Sequence, residues 1–507
     1  MNDKSSEKNY HRDKKFLKDE IDKILRGFRT VIDFYRMEYS ENLTVLFNET
    51  GFLLIMRLFY GGYFEKEQEM SASGSKKYKL AIDLKELHGQ PQEMMDFFLD
   101  SMVQKFENAS EENRIFSGLQ GFQFTIRKSS VLRHILEITE EICELWEVTG
   151  DKDTLYDVIY RIHKLCTGSR ADKGRYTLPE NAITQILQVL NPEWGSGIFN
   201  LPIAVLDPQY GSGEMLIAAG RYLKDANLCG EESNEELRLS AQILSIFAGL
   251  IIQDVKENLL KGEMDRHYDV VLANPLFSNE NVEDKVWDLP DDLWNIKGKY
   301  NLLIMRSIKA LAPGGSAAII VPDSFLFSSR NESKKVRRWI LDSYNIDMIL
   351  SLPERTFDSN SAVRSSVLII RNPYMRIEWH RSTDHILFYQ MNAEFGSEES
   401  EEEYEELRRV RNQRDYYYRE WNEKLHDFQE NYSDVITPSE WSYPDFWFAD
   451  YELISANNYS LLPDHYKPIE KIELRFEAPD RLLEELIEAQ EDLLKDMYEL
   501  HEEIQKI

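Results

Sequence analysis

Between residues 200 and 373, six short apolar runs alternate with helical stretches, and no other feature narrows the possible folds as much. The runs cover residues 203–206, 248–252, 268–272, 316–321, 346–350 and 366–370. Each is bounded by Gly, Pro, Asp or Asn, as strands covered on both faces are. Strand–helix alternation predicts an α/β fold with a parallel, doubly wound sheet. Ligands of such sheets sit at the carboxyl ends of the strands. One further apolar run follows at 385–389.

The chemistry-bearing residues cluster where that rule puts ligands. After the first run comes Asp207-Pro208-Gln209-Tyr210-Gly211-Ser212-Gly213, then a helical stretch at 214–223. Gly211 and Gly213 permit a tight turn and a close backbone approach to a ligand. The helix start behind them offers unpaired N–H groups and a positive dipole end, which suit the carboxylate of an amino-acid-like cofactor. The Gly-x-Gly-x-x-Gly of dinucleotide enzymes is absent, and no Lys follows as in a phosphate-binding loop. Cys229-Gly230-Glu231-Glu232 lies just past that helix. An acid about 20 residues after a glycine turn can bind both ribose hydroxyls. Glu232 is the preferred candidate and Glu231 its neighbour; in isolation either reads as a surface acid. Asp254, at the end of 251–254, reads either as an acceptor for an adenine amino group or as an ordinary loop aspartate.

The fourth element is Asn274-Pro275-Leu276-Phe277, which closes the run 268–272. It resembles the Asp/Asn-Pro-Pro-Tyr/Phe motif of amino-group methyltransferases. The lone pair of an exocyclic amine is delocalised into its ring. Acceptors on its hydrogens, here the Asn274 side-chain oxygen and the Pro275 carbonyl, return density to nitrogen for attack on a methyl sulfonium. Phe277 would stack on an extruded base. The alternative is a plain strand-ending turn, since Asn-Pro is a common turn pair.

The rest of the chain sets bounds. With 507 residues it holds two to four domains at roughly 100–200 residues each. The formal net charge is -30, the wrong sign for a free-standing nucleic-acid binder, whose affinity comes from phosphate neutralisation. Positive surface must then come from a partner if nucleic acid is bound. Cys143, Cys166 and Cys229 are scattered, which argues against a disulfide framework and a zinc site. The N-terminal residues lack the apolar core of a signal peptide, and no apolar stretch is long enough to span a bilayer. These readings predict a cytoplasmic protein with no membrane association.

Residues 8–60, 93–106 and 130–148 read as helical, the first with a stripe of Phe16, Ile21, Ile24, Leu25 and Phe28. A short strand is expected at 121–126 and an exposed loop at 71–77. This predicts a mostly helical domain over 1–165, a catalytic domain over 166–395 and an extension over 396–507. In the extension, the acidic run 398–406 reads as a solvated loop or helix face. Arg408, Arg409, Arg411, Arg414 and Arg419 interleave with Tyr416, Tyr417, Tyr418 and Trp421. That pattern reads as a mixed-charge helix with a packed aromatic side, the other reading being a nucleic-acid contact. Leu483, Leu486, Gln490, Leu493, Met497, Leu500, Ile504 and Ile507 follow coiled-coil spacing. This helix over 481–507 either packs on its own chain or docks on a partner.

Beyond these motifs, most of the chain resembles the modification (M) subunit of type I restriction–modification systems. Residues 153–157 and 174–179 are similar to that family's approach to its Phe-Tyr-Thr-Pro cofactor loop. Residues 311–315, 321–327, 351–357 and 457–463 also read like that family. The resemblance implies a seven-stranded S-adenosylmethionine-dependent methyltransferase sheet, Rossmann-like, with a helical N-terminal domain and a helical C-terminal tail. It implies N6-methylation of adenine in duplex DNA, with S-adenosyl-L-methionine as cofactor. The tail would dock on a separate specificity subunit, which supplies the missing positive surface, and a restriction nuclease is a further partner. Carried over by position, the cofactor-binding candidates are Tyr176, Thr177, Pro179, Asp207, Pro208, Gly211, Ser212, Gly213, Glu232 and Asp254. The catalytic candidates are Asn274, Pro275 and Phe277. Leu276 stands where the family has a second proline, and Thr177-Leu178 where it has an aromatic residue and Thr. These departures keep a second class open, a methyltransferase-fold scaffold that binds cofactor or DNA without catalysis in a defence complex. Methylation of a protein glutamine or of RNA is a third, which the long helical flanks argue against.

Overall fold

The computed structural model of the chain describes residues 3–39, 42–60, 114–119, 121–167, 178–190, 202–255, 267–275, 295–353, 364–373, 382–392, 398–414, 416–419 and 446–467, with isolated positions elsewhere. Met1–Tyr417 with Asp445–Tyr466 form one compact unit. Tyr418–Pro444 with Lys467–Ile507 form a second. The loop expected at 71–77, most of the helix expected at 93–106 and nearly all of the heptad segment 481–507 lie outside the described residues.

Helices lead the chain: α1 (Asp3–Glu38), α2 (Leu43–Tyr60), α3 (Ser129–Thr149) and α4 (Lys152–Thr167). On α1 the apolar stripe buries Ile21, Ile24, Phe28, Val31, Ile32 and Tyr35, a spacing of three and four that keeps one face inward. Phe16 falls off that face and is 54% exposed, and Leu25 is only half-buried, which corrects the expected stripe. α2 is apolar on all sides, with Phe47, Phe52, Leu54 and Met56 fully buried, as a helix enclosed by others must be. It packs against α3, α4 and the later helix Glu235–Phe247.

No strand forms at 121–126; after a turn at Gly121 that segment has no regular secondary structure. Its N–H groups find a side chain instead of a neighbouring strand. Glu49 of α2, 2% exposed, accepts from the backbone N–H of Thr125 at 2.6 Å and of Ile126 at 2.9 Å. Burial raises the Glu49 carboxyl above its ordinary pKa although these donors act to lower it.

The chain continues through α5 (Glu180–Leu190), β1 (Ala204–Asp207), α6 (Glu214–Tyr222), β2 (Asn227–Gly230), α7 (Glu235–Phe247), β3 (Ile252–Asp254) and β4 (Tyr268–Ala273). Then come α8 (Lys299–Lys309), β5 (Leu311–Pro322), α9 (Asp323–Phe327), α10 (Asn331–Ser343), β6 (Asn345–Ser351), β7 (Ser365–Arg371) and β8 (His385–Gln390). Last are α11 (Glu398–Asn412), β9 (Phe446–Asp450) and α12 (Tyr451–Ala456).

The strands form one sheet in the order β3-β2-β1-β4-β5-β7-β6-β8-β9. β3 through β5 are parallel, and β7 runs antiparallel between β5 and β6. Among the described residues the sheet therefore has nine strands, not the seven expected: β8 adds parallel to β6, and β9 adds antiparallel to β8. β9 is buried on both faces, with Trp447 on one and Phe448 on the other, and Trp447 Nε1 donates to the Pro463 carbonyl at 3.2 Å. The run 248–252 is mostly not a strand. α7 continues to Phe247, Gly249 turns the chain at φ +70°, and only 252–254 pair.

On α11, Glu402 and Glu405 are exposed while Tyr404, Leu407 and Val410 are buried. Arg408 and Arg409 pair with Glu405 and Glu406 one turn earlier. This supports the mixed-charge helix reading for 404–410. Arg411 and Arg414 instead turn inward to Asp347 of β6, at 3.8 and 3.0 Å, where Arg371 of β7 also reaches it at 3.0 Å. Cys143, Cys166 and Cys229 are buried free thiols. Among the described residues, no helix is long and apolar enough to cross a membrane.

Candidate active site

The glycine turn is built by backbone geometry that only its sequence permits. Gly211 and Gly213 both adopt positive φ, 60° and 80°, a region closed to most side chains. Gly213 caps α6. Asp207, 2% exposed at the end of β1, accepts from the Gln209 N–H at 3.0 Å. Its carbonyl accepts from the Glu231 N–H at 3.3 Å, tying the end of β1 to the segment after β2.

Glu232, 5% exposed, braces the turn across 21 positions of sequence. One carboxylate oxygen accepts from the Gly211 N–H at 2.9 Å and the other from the Asn234 N–H at 2.8 Å. A carboxylate oxygen accepts more than one hydrogen bond, so this role leaves capacity for a ligand. Asp254, exposed at the end of β3, accepts from the Tyr210 hydroxyl. Tyr210 is 4% exposed, and burial and then this carboxylate push its phenol well above the usual range.

Strand register lines these groups up. Asp207 pairs with Gly230, and Gly230 with Asp254, so three neighbouring strands end level. Leu206 pairs with Val271, so Asn274 and Pro275 emerge beyond β4 on the same carboxyl edge, Asn274 half-buried and Pro275 buried. The structure thus brings Asp207, Pro208, Gly211, Ser212, Gly213, Glu232, Asp254, Asn274 and Pro275 to one edge. Pro179 directly precedes Glu180, whose carboxylate pairs at 3.0 Å with Arg221 of α6. Tyr176, Thr177, Leu276 and Phe277 lie outside the described residues.

Sequence reading missed two contributors. Tyr210 stood inside the motif, and its aromatic ring within a glycine turn was the available signal. The other is a buried ion pair behind the turn. Glu214, the first residue of α6, is held at 3.0 Å by Lys164 of α4. His163 approaches it at 3.4 Å but without hydrogen-bond geometry, so Lys164 carries the pairing. Burial alone would raise the Glu214 carboxyl; Lys164 and then His163 reverse that and hold it down at about 2. An acid in a helix's first turn is common, and nothing local in the sequence points to Lys164.

Gly230 lets β2 pass the turn closely. A Cβ there would stand 2.6 Å from the Asp207 carbonyl and 2.5 Å from the Tyr210 ring. Gly230→Ala is expected to cost about 1–3 kcal/mol, the usual range for overpacking a tight site, read as a lowered midpoint in urea denaturation. An unchanged midpoint would mean that the turn yields freely.

Such an edge, with a glycine turn and helix start beside an Asn-Pro strand end, can hold an amino-acid-like cofactor next to a planar amine. Comparison with known proteins agrees. The sequence profile of the N-6 DNA Methylase family matches residues 151–474. The methylase subunit of the type I restriction enzyme MjaVII from Methanocaldococcus jannaschii is 26% identical over 379 residues, covering 68% of this chain and 59% of that protein. The StySPI methylase subunit from Salmonella potsdam is 24% identical over 317 residues, covering 56% of each. The chain thus spans less than two thirds of the length of these curated relatives. The crystal structure of a type I restriction-modification system methyltransferase subunit from Streptococcus thermophilus shares the fold. It superimposes with a TM-score of 0.59 at 14% identity, covering 88% of this chain and 99% of that one. With its profile matched over residues 151–474, the chain belongs to the N-6 DNA methylase family.

Proposed function

We propose that this chain is the modification subunit of a type I restriction–modification system. It transfers a methyl group from S-adenosyl-L-methionine to adenine N6 in duplex DNA, in the cytoplasm, with a specificity subunit and a restriction nuclease as partners. The observation that carries the reading is the common carboxyl edge, on which the glycine turn after β1 and Asn274-Pro275 after β4 follow adjacent strands.

The residues fit the cofactor. Positive-φ glycines open the turn, and the start of α6 behind them presents N–H groups toward an anion. Asp207, Pro208, Gly211, Ser212 and Gly213 would shape the cofactor site, with Glu232 toward its ribose and Asp254 toward its adenine. Tyr176, Thr177 and Pro179 would complete it. When bound, the cofactor supplies an electrophilic methyl group on a sulfonium. The Asn274 side-chain oxygen and the Pro275 carbonyl accept hydrogen bonds from the target amine and raise the electron density on its nitrogen. Phe277 stacks on the extruded base. No general base is needed before attack.

A net charge of -30 assigns phosphate contacts to the specificity subunit. The division into 1–165, 166–395 and 396–507 belongs to the same reading, with 481–507 as the docking helix. Labelled-methyl transfer to DNA by the complex with its specificity subunit tests it. Asn274→Ala is expected to lower the rate by about 10²-fold or more, the scale for one lost polarising contact. No transfer by a folded, cofactor-bound wild-type complex sinks the proposal.

A further inference from the structure

Two helices follow the two elements that frame the cofactor site. α6 starts at Glu214, directly after Gly213, and α7 starts at Glu235, just after Glu232. The opening turns of both are held by side chains of the leading helices, far away in sequence.

At α6 the holder is Lys164 of α4, on the Glu214 carboxylate at 3.0 Å. Asp153, near the other end of α4, pairs at 3.2 Å with Arg221, near the other end of α6. α4 therefore grips α6 at both ends. At α7 the holder is α2. Asn48, 3% exposed, donates through Nδ2 to the Glu236 carbonyl at 2.9 Å and accepts through Oδ1 from the Ser240 hydroxyl at 2.7 Å. Asn42, just before α2, donates to the Glu236 carboxylate at 2.9 and 3.1 Å. The two grips touch each other. The ring of Phe47, beside Asn48, meets edge-on the ring of His163, beside Lys164, with centroids 4.8 Å apart.

The opening turn of α7 leads on to the glycine turn. The Asn234 side chain caps α7 by accepting from the Leu237 N–H at 3.1 Å, and the Asn234 N–H donates to Glu232 at 2.8 Å. The other oxygen of Glu232 holds the Gly211 N–H. A shift of this opening turn therefore moves the Glu232 carboxylate. Buried polar contacts add little net stability over apolar groups of the same shape. What they do supply is fixed placement, and binding groups must be held to within about 0.5 Å.

We propose that Asn48 and Lys164 are positioning residues for the cofactor. Asn48 acts through α7 and Glu232 on its ribose, and Lys164 acts through α6 on its carboxylate. The inference rests on the cofactor reading above and adds α2 and α4 to the machinery of that site.

Two ligands separate the two arms in calorimetry of the full chain. S-adenosylhomocysteine carries both the ribose and the carboxylate, whereas 5′-methylthioadenosine keeps the ribose and lacks the carboxylate. Their affinity ratio on one protein is independent of how much of it is folded. Asn48→Leu should weaken both ligands about fivefold, the scale of one net hydrogen bond, and leave the ratio as in wild type. Lys164→Met should weaken S-adenosylhomocysteine about fivefold and leave 5′-methylthioadenosine unchanged. Ser240→Ala is a milder cut of the Asn48 contact, should change both affinities in the same direction as Asn48→Leu, and replaces that variant if it does not fold. Ile138→Ala opens a gap against Gly27 of α1 instead. It should lower the melting temperature and leave both affinities as in wild type. Equal loss in Ile138→Ala and Asn48→Leu would mean that stability alone is being read, and overturns the proposal. So does a Lys164→Met ratio equal to that of wild type. A wild type that binds neither ligand overturns the cofactor reading and this inference together; wild-type binding with unaffected variants overturns this inference alone.

Discussion

Asp347→Ala is expected to lower folding stability by about 3–5 kcal/mol, the usual result of removing one member of a buried ion cluster. Three guanidinium groups converge on this one carboxylate. Arg371 and Arg414 lie at 3.0 Å and Arg411 at 3.8 Å. The side chains of Asp347 and Arg411 are each only 9% exposed. Without the carboxylate, three like charges remain together in a largely dry place. Burial already lowers the Arg411 guanidinium below its ordinary pKa, and Asp347 is the group that opposes this. The cluster fastens α11 to the sheet through β6 and β7, so α11 should loosen first. Urea denaturation followed by hydrogen exchange over 398–412 checks this. A loss below about 1 kcal/mol, typical of an exposed pair, would show that water screens the cluster.

The second large effect belongs to the ion pair behind the glycine turn. Lys164→Met strands the Glu214 carboxylate, whose side chain is 7% exposed, and is expected to cost about 3 kcal/mol or more at neutral pH. Its pH dependence has a definite sign. The Glu214 carboxyl is held at about 2 in the folded chain, below its ordinary 4.5. A lowered folded value gives stability that is present above 4.5 and lost as pH falls toward 2. The wild type should therefore show an acid limb in that window, and Lys164→Met should flatten it. Because Glu214 opens α6 directly after Gly213, the variant should also bind S-adenosylmethionine more weakly, measured by calorimetry. A variant with wild-type stability and an unchanged acid limb would remove Lys164 from this role.

Much of the sheet was legible because its signals are local. The strands β1, β4, β6, β7 and β8 match the apolar runs to within a residue or two, since parallel and central strands must be apolar on both faces. The glycine turn was legible for a similar reason: positive φ at 211 and 213 is a property of single residues. β2 escaped because Asn227–Gly230 is four residues long and begins with an exposed polar side chain. β3 was misjudged because the apolar run beginning at 248 is shared between the end of a helix and the strand after Gly249. The count of nine strands depended on β8 and β9 pairing at the far edge, and pairing has no local signature.

The candidate site divided along the same line. The sequence alone determined the glycine turn and the strand ends on which the candidate residues stand, because strand ends, glycine turns and Asn-Pro pairs act over a few bonds. The tertiary structure decided what braces them. Glu232 holds the Gly211 N–H across 21 positions, Lys164 neutralises Glu214 across 50, and Asp347 gathers arginines from β7 and the end of α11. A charge gains its partner only when the backbone folds back on itself. The energy of that pairing depends on burial, which no neighbouring residue in the chain encodes.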